Sequence, residues 1–145
     1  MIALLQRVTR AEVTVAGQSC GAIGPGLLAL VGVRPDDDRT STERLLERIL
    51  ACRLFEDEQG RMNRSLAATG GGLLLVPQFT LAADTRKGNR PGFSSAAEPA
   101  LARQLFAELV ALASGRHPLV ATGRFGAEMQ VSLVNSGPVT IWLES

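Results

Sequence analysis

Two polar side chains, Gln78 and Thr80, follow the most hydrophobic stretch of the chain, 72–76, and alternate with apolar residues as in a β-strand. Polar groups at the end of a buried strand are a common place for a functional site. Thr80 carries a hydroxyl, which needs an adjacent base to become a strong nucleophile. The one histidine, His117, lies beside Pro118, and we interpret it as a surface residue in a helix-to-strand connection. The sequence therefore disfavours hydrolysis by a serine–histidine–aspartate triad.

The dipeptide Gly137-Pro138 lies between two apolar segments, 131–134 and 139–143. Taken alone, it predicts the tight turn of a β-hairpin. Proline lacks a donor for a strand ladder and glycine lacks a side chain, so the pair could instead shape the backbone for contact with a ligand. A cis bond, which only a residue before proline reaches at low cost, would hold that backbone stiff.

Three cations, Arg86, Lys87 and Arg90, lie in a turn-rich loop after the polar segment. Such a cluster is typical of a solvated surface or of contact with nucleic-acid phosphates. The single histidine and two distant cysteines do not form a zinc site, and the consecutive acids 36–38 lack the spacing of a calcium loop. We expect no metal and no other cofactor.

The surrounding elements belong to the α+β class. Two main helices are predicted. The first opens at the capping-box pattern Thr40-x-x-Glu43, and the second begins near Pro99 or at Ser95 and ends at Gly115. Apolar runs predict about seven strands, among them 2–9, 12–15, 26–33, 72–76, 131–134 and 139–143.

Length and composition limit the class of protein. A chain of 145 residues with 46% apolar residues fits a single domain over residues 1–145. The longest apolar run, 27–33, is far shorter than the roughly 20 residues of a membrane helix. Gln6 and Arg7 come too soon for a signal peptide. The two cysteines, Cys20 and Cys52, form no CxxC motif, so we expect reduced thiols in a cytoplasmic protein without a membrane partner. The net charge of +1 does not by itself indicate nucleic-acid binding, so any RNA contact depends on local patches.

The two unusual segments together resemble the D-aminoacyl-tRNA deacylase family. The first is Gln78-Phe79-Thr80-Leu81 and the second is Asn135-x-Gly137-Pro138-x-Thr140. The likeness extends to 1–8, 79–84, 122–125 and 129–135. The family's usual serine before the first motif is Pro77 here, as in a related animal deacylase that removes L-alanine from mischarged tRNA. Because that paralogue usually lacks phenylalanine at the position of Phe79, we retain the D-specific interpretation.

The resemblance implies an enzyme that hydrolyses the ester between a D-amino acid, or glycine, and the terminal ribose of tRNA. It implies a homodimer whose barrel-like β-layers join, with the helices outside. It also implies substrate-assisted catalysis, in which a ribose hydroxyl takes part. Residues Gln78, Phe79 and Thr80 then position the substrate, and main-chain N–H groups around Phe79 and Thr80 stabilise the oxyanion.

The resemblance also assigns binding roles. Gly137 and Pro138 of one subunit reach into the partner's pocket and exclude L-amino acids with a rigid carbonyl. Further substrate-binding positions are Pro77, Phe125 and Met129, and the tRNA phosphates contact Arg86, Lys87 and Arg90. No DNA partner is implied.

Three alternatives stand beside this interpretation. One is a non-catalytic RNA-binding dimer, which five Phe, one Trp and no Tyr supply with few stacking rings. Another is a deacylase of mischarged L-alanyl-tRNA. The third, an esterase that uses Ser132 or Ser136, is disfavoured because no histidine partner is available.

Overall fold

The computed structural model describes residues 1–86 and 88–145. Its strands are β1 (Ile2–Val15), β2 (Gln18–Ile23), β3 (Gly26–Gly32), β4 (Arg53–Glu56), β5 (Met62–Ser65), β6 (Gly72–Pro77), β7 (Val120–Thr122) and β8 (Gln130–Glu144). Its helices are α1 (Arg39–Ala51), the short α2 (Leu66–Thr69), α3 (Pro99–Arg116) and a 3₁₀ helix (Phe79–Ala82). The predicted α+β class with two main helices is confirmed. The strands predicted separately at 2–9 and 12–15 are one continuous strand, β1, and the predicted ranges did not include β2, β5, β7 or α2.

The main sheet is organised around β1. This long strand pairs antiparallel with β8 over most of its length, with β3 through its first half and with β2 through its second half. Parallel pairs join β3 to β6 and β6 to β7. The sheet curls until β2 approaches β7, where a Cβ on Gly21 would lie 2.5 Å from the carbonyl oxygen of Thr122. The result is a nearly closed, mixed barrel within one α+β domain.

Apolar side chains fill both faces of this sheet. One cluster lies between the sheet and the two long helices and includes Leu5, Leu27, Leu46 and Leu109. The other, on the opposite face, includes Leu28, Leu74 and Val76. Because β3 and β6 are covered on both faces, their sequences are continuous apolar runs without alternation. That property is why both strands could be predicted.

The helix ends correct two predictions. Helix α1 begins at Arg39, and its N-cap is Asp38, whose carboxylate accepts a 2.8 Å hydrogen bond from the Ser41 amide. The capping box at Thr40 is therefore wrong, because an acid two residues earlier supplies the acceptor. The bonds from Ser41 also lower the pKa of Asp38. Helix α3 begins at Pro99, as one of the two predictions had it, and ends at Arg116, one residue beyond the predicted Gly115.

The predicted surface position of His117 is also wrong. The side chain is buried, and its Nε2 lies 2.6 Å from the carbonyl oxygen of Gly71. Its amide donates to Ala113 and closes the last turn of α3. His117 therefore joins the end of α3 to the start of β6. Among the described residues, no helix is long and apolar enough to cross a membrane.

Candidate active site

A cleft of about 590 Å³ opens between the end of β6, the start of α3 and the segment that leads into β8. Its lining is mainly apolar. Five of the predicted site residues lie together in this lining: Pro77, Gln78, Phe79, Phe125 and Met129. Other lining residues, which sequence reasoning did not single out, include Val76, Ala97, Ala102, Glu128 and Val131.

One wall of the cleft forms where β6 ends. The prediction that the strand continues through Leu81 is wrong, because β6 stops at Pro77 and Phe79 opens the 3₁₀ helix. Pro77 lies beyond the last residue that pairs with β7, so its missing N–H breaks no ladder bond on that side. The Gln78 amide still donates to Val31 at 2.7 Å.

The turn into the 3₁₀ helix leaves main-chain donors available. The first N–H groups of such a helix, here those of Phe79 and Thr80, have no acceptor within it. Within residues 1–86 and 88–145 no other acceptor is found for either group, and the Gln78 side chain does not cap the helix. The end of β6 therefore offers two adjacent hydrogen-bond donors beside the cleft.

Thr80 lies next to Gln78, whose side-chain amide donates to the threonine hydroxyl oxygen. A neutral amide cannot take a proton from that hydroxyl as a base would. The histidine of the chain, His117, lies against Gly71 at the opposite end of β6, about 20 Å away along six strand residues. In the described parts of the chain, no three His, Cys, Asp or Glu side chains form a potential metal site.

The opposite wall is fixed by contacts around Met129 and Phe125. The sulfur of Met129 accepts a 3.3 Å hydrogen bond from the Arg124 amide. A Cβ on Gly123 would lie 2.9 Å from this sulfur and 3.4 Å from the ring of Pro77. Gly123 therefore lets the two lining side chains approach each other. In the sequence, Gly123 was marked only by its place in the segment 122–125, which resembles the family.

Phe125 is held on two sides. Its ring centroid lies 6.4 Å from that of Phe106, a buried core residue, and the Arg103 guanidinium lies 4.8 Å from its centroid. A cation over an aromatic ring is attracted by the negative face of the ring. Phe125 thus belongs partly to the core and partly to the cleft lining.

Gly137 and Pro138 lie in a bulge of β8. The prediction of a hairpin turn is wrong, because β8 pairs with β1 on both sides of the dipeptide. Between the pairs Gln6–Thr140 and Val8–Asn135, the four residues Ser136–Val139 face Arg7 alone. The Gly137–Pro138 peptide bond is cis, as predicted, and both residues are exposed.

The bulge is held from inside by Arg7 and Asn135. The Arg7 guanidinium donates to the carbonyl oxygens of Ser136 at 3.1 Å and of Leu54 at 2.7 Å. The side-chain oxygen of Asn135 accepts from the Val139 amide at 3.0 Å. These bonds fix the backbone on both sides of the dipeptide. Sequence reasoning used Asn135 only as part of a motif and gave Arg7 no role in the site.

The bulge does not belong to the cleft of its own chain. On β3, Val31 pairs with Pro77 of β6 and with Ala3 of β1, so the end of β6 lies level with Ala3. The bulge faces Arg7, which is four residues farther along β1. From β8 to β6 there are also three strand spacings, about 14 Å along the sheet. Within one chain, the structure therefore does not bring Gly137 and Pro138 to the other predicted site residues.

The cationic loop is closed at its base by two hydrogen bonds between Asp84 and Gly92, of 2.8 and 2.9 Å. Arg86 binds the Asp84 carboxylate through its side chain and its amide. These bonds hold the pKa of Asp84 well below its usual range and raise the pKa of Arg86. Arg90 is exposed, and Lys87 lies outside the described residues. Part of the positive charge of the loop is thus balanced within it.

Comparisons with known proteins agree with the resemblance. The family described as D-Tyr-tRNA(Tyr) deacylase matches residues 4–144. A D-aminoacyl-tRNA deacylase of Thioalkalivibrio sulfidiphilus (strain HL-EbGR7) is 68% identical over 99% of this chain and 97% of its own. Another, of Azotobacter vinelandii (strain DJ / ATCC BAA-1303), is 66% identical over the full length of both.

Solved structures extend the agreement to the fold. The structure titled c-Myc DNA Unwinding Element Binding Protein superposes with a TM-score of 0.96 and 40% identity, covering 100% of this chain and 99% of its own. A probable eukaryotic D-amino acid tRNA deacylase gives a TM-score of 0.82 at 17% identity, with 99% and 98% coverage. The second likeness shows the fold alone.

Proposed function

The chain belongs to the D-aminoacyl-tRNA deacylase family, a family of hydrolases, and from this we propose that it hydrolyses the ester bond of D-aminoacyl-tRNA and of glycyl-tRNA. The reaction releases the free amino acid and the tRNA, and removes wrongly charged tRNA in the cytoplasm. The observation that carries this proposal is the cleft, which gathers Pro77 and four residues of the segments that match the family, Gln78, Phe79, Phe125 and Met129, beside two free main-chain donors.

The position of the ester follows from those donors. An ester carbonyl placed before the N–H groups of Phe79 and Thr80 would receive two hydrogen bonds as negative charge develops on its oxygen. Donors fixed in advance stabilise such an oxyanion without reorganising during the reaction. The rest of the cleft, with Phe125 and Met129 on its far wall, then receives the 3′-terminal nucleoside, since its volume is in the usual range for a small-molecule site.

Catalysis then relies on the substrate. Water attacks the carbonyl carbon, the bond to the ribose oxygen breaks, and that oxygen takes a proton. The neighbouring ribose hydroxyl is held next to the reacting bond and can relay this proton, so the protein mainly supplies orientation. Among the described residues, the side-chain partner of the Thr80 hydroxyl is the neutral amide of Gln78 and not a base, which supports this mechanism over a covalent intermediate on Thr80.

Stereochemistry is selected by backbone. We assign the exclusion of L-amino acids to a carbonyl of the Gly137-Pro138 segment, placed where an L side chain would leave Cα. A D-amino acid or glycine presents only hydrogen in that direction. The bonds from Arg7 and Asn135 support this role, because a wall that excludes a methyl group must not move aside.

This selection requires a homodimer, since the bulge lies far from the cleft of its own chain. A second copy would bring its bulge to that cleft. The face of the sheet opposite the helices is not fully covered and offers a surface for such a contact. Trp142 on this face is 47% exposed, and its cross-strand neighbours Leu4 and Leu30 are half-buried. An exposed apolar stripe of this kind is typical of a protein interface.

The test of the activity uses purified protein with matched D-, L- and glycyl-tRNAs, and follows loss of the ester over time. We expect hydrolysis of the D- and glycyl-esters and none of the L-esters. Binding of all tRNAs without ester loss would support the non-catalytic RNA-binding dimer instead. Preferential hydrolysis of L-alanyl-tRNA would support the paralogue's activity, to which Pro77 in the cleft wall points.

The composite site has a separate test. Phe79→Ala disables the cleft and Gly137→Ala disables the bulge, so each homodimer has low activity. Mixing the two proteins under conditions that exchange subunits should restore part of the activity, because each hybrid dimer holds one intact site. If exchange is demonstrated and no activity returns, the site lies within one chain.

A further inference from the structure

Phe79 and Phe93 form an exposed aromatic pair at the mouth of the cleft, which we call the aromatic rim. Their ring centroids lie 5.1 Å apart and the rings are inclined by 59°. Phe79 is 55% exposed and Phe93 44% exposed, which is unusual for rings of this size. The inclination leaves each ring with a face that the other does not cover.

The backbone holds Phe93 in this place from both sides. Immediately before it, Gly92 makes the two hydrogen bonds with Asp84 that close the loop. Immediately after it, the carbonyl oxygen of Phe93 accepts from the Ala96 amide at 3.0 Å. An exposed aromatic ring that is fixed in position loses little conformational entropy when a ligand stacks on it.

Its position indicates the ligand. Phe79 lines the cleft, and Phe93 continues the surface from Phe79 towards the loop that carries Arg86 and Arg90. A polynucleotide whose terminal nucleoside occupies the cleft must leave it past this rim. The nucleotides before the terminus of tRNA are single-stranded, and their unpaired bases offer flat faces for stacking.

We propose that the aromatic rim, and Phe93 in particular, stacks on the unpaired bases that precede the aminoacylated nucleotide. This rests on the proposed function and adds a binding element for the RNA to it. Stacking is indifferent to the amino acid and nearly indifferent to the base, so it strengthens binding of every charged tRNA. Stacking also adds to the affinity of the cationic loop for RNA. That affinity is limited because the Asp84 carboxylate forms an ion pair with Arg86 and balances its charge.

The test compares Phe93→Leu, which keeps apolar volume but removes the aromatic face, with Phe93→Trp, which keeps a face. Each is assayed on D-aminoacyl-tRNA and on the D-aminoacyl ester of adenosine alone. For Phe93→Leu we expect KM for the tRNA to rise about tenfold, the size of a lost base–aromatic stack. The effect on the nucleoside ester should be at least fivefold smaller, and Phe93→Trp should restore the tRNA value.

Leu119→Ala is the matched control, because Leu119 is 57% exposed and does not line the cleft. It should leave both substrates unaffected. An unchanged KM for the tRNA in Phe93→Leu, or equal losses on both substrates, would overturn the proposal. So would a shift of its sedimentation coefficient from dimer to monomer, which would make Phe93 an interface residue.

A binding measurement separates this proposal from the proposed function. Uncharged tRNA and the same tRNA trimmed of its single-stranded 3′ end are titrated against each protein by fluorescence anisotropy. Wild type should prefer the complete tRNA, and Phe93→Leu should lose that preference. If wild type hydrolyses no ester, the proposed function fails, while a preference that depends on Phe93 would still support the rim. If wild type shows no preference, the rim proposal fails whatever the activity.

Discussion

Replacing Gly137 by alanine tests the bulge most directly. Gly137 has φ +128°, which L-residues rarely adopt, and a Cβ there would lie 2.8 Å from Val139 and 2.9 Å from the Arg7 guanidinium. Backbone strain of this kind costs about 1–3 kcal/mol, and crowding costs a similar amount. We therefore expect a loss of about 3 kcal/mol in the free energy of unfolding. In a chain of 145 residues this lowers Tm by about 10 °C.

Gly60→Ala is the control for strain alone. Gly60 has φ +75°, and a Cβ there would meet no atom within 4 Å. It should lose about 1 kcal/mol, or about 3 °C in Tm, and keep full activity. Both proteins are assayed at 20 °C, where circular dichroism verifies that they are folded.

At that temperature Gly137→Ala should hydrolyse D-aminoacyl-tRNA at least tenfold more slowly, because displacing Arg7 frees Ser136 and moves the carbonyl wall. The ratio of D- to L-activity should fall as well. Equal Tm values for the two variants would refute the crowding argument. If Gly137→Ala keeps the wild-type ratio of D- to L-activity, the bulge does not select the stereochemistry of the substrate.

Three further predictions concern separate parts of the site and fold. Thr80→Val should slow deacylation less than tenfold, and a loss of about a thousandfold in a single-turnover assay would contradict the mechanism without a side-chain nucleophile. Arg90→Gln should weaken binding of D- and glycyl-tRNA alike and reduce the salt slope of log K by about one, whereas an unchanged slope would make Arg90 a solvated residue. Hydrogen bonds from Arg34 lower the pKa of Glu144 to about 2, below the value of 4.5 for the free side chain. Because the folded state has the lower pKa, Glu144 adds stability above pH 4.5 that is lost as the pH falls towards 2. Glu144→Gln should therefore lower the urea midpoint at pH 6 but not at pH 2, and a difference that persists at pH 2 would contradict this.

Strands β3 and β6, which are covered on both faces, could be predicted from the sequence because 26–33 and 72–76 are continuous apolar runs. The hairpin at Gly137-Pro138 was misjudged because a local turn preference does not reveal long-range pairing. Only the register of β8 against β1, with Thr140 opposite Gln6 and Asn135 opposite Val8, shows that the strand continues past the dipeptide.

The end of β6 was misjudged for a similar reason. The alternation of Gln78 to Leu81 fits a strand, but Gly32 at the end of β3 leaves room for the chain to turn. A Cβ on Gly32 would lie 3.2 Å from both the Gln78 oxygen and the Leu81 Cβ. The 3₁₀ helix thus packs closely against a glycine 46 residues earlier than Gln78, and the buried His117 likewise contacts the carbonyl oxygen of the distant Gly71. Neither of these long-range contacts can be recognised from the residues of the motif alone.

The two halves of the proposed composite site share one support, which is β1. Its first residues lie in the sheet beside β3, which pairs with β6 up to Pro77 at the cleft, and Arg7 farther along holds the bulge. From Ile2 to Gln6, β1 is paired with β3 on one side and with β8 on the other, so bending it there would strain ladder hydrogen bonds on both sides. The separation of cleft and bulge is therefore fixed within each subunit. In a two-fold dimer the same separation would set how far each bulge enters the partner's cleft, so selection by a carbonyl needs a rigid sheet as much as a rigid dipeptide.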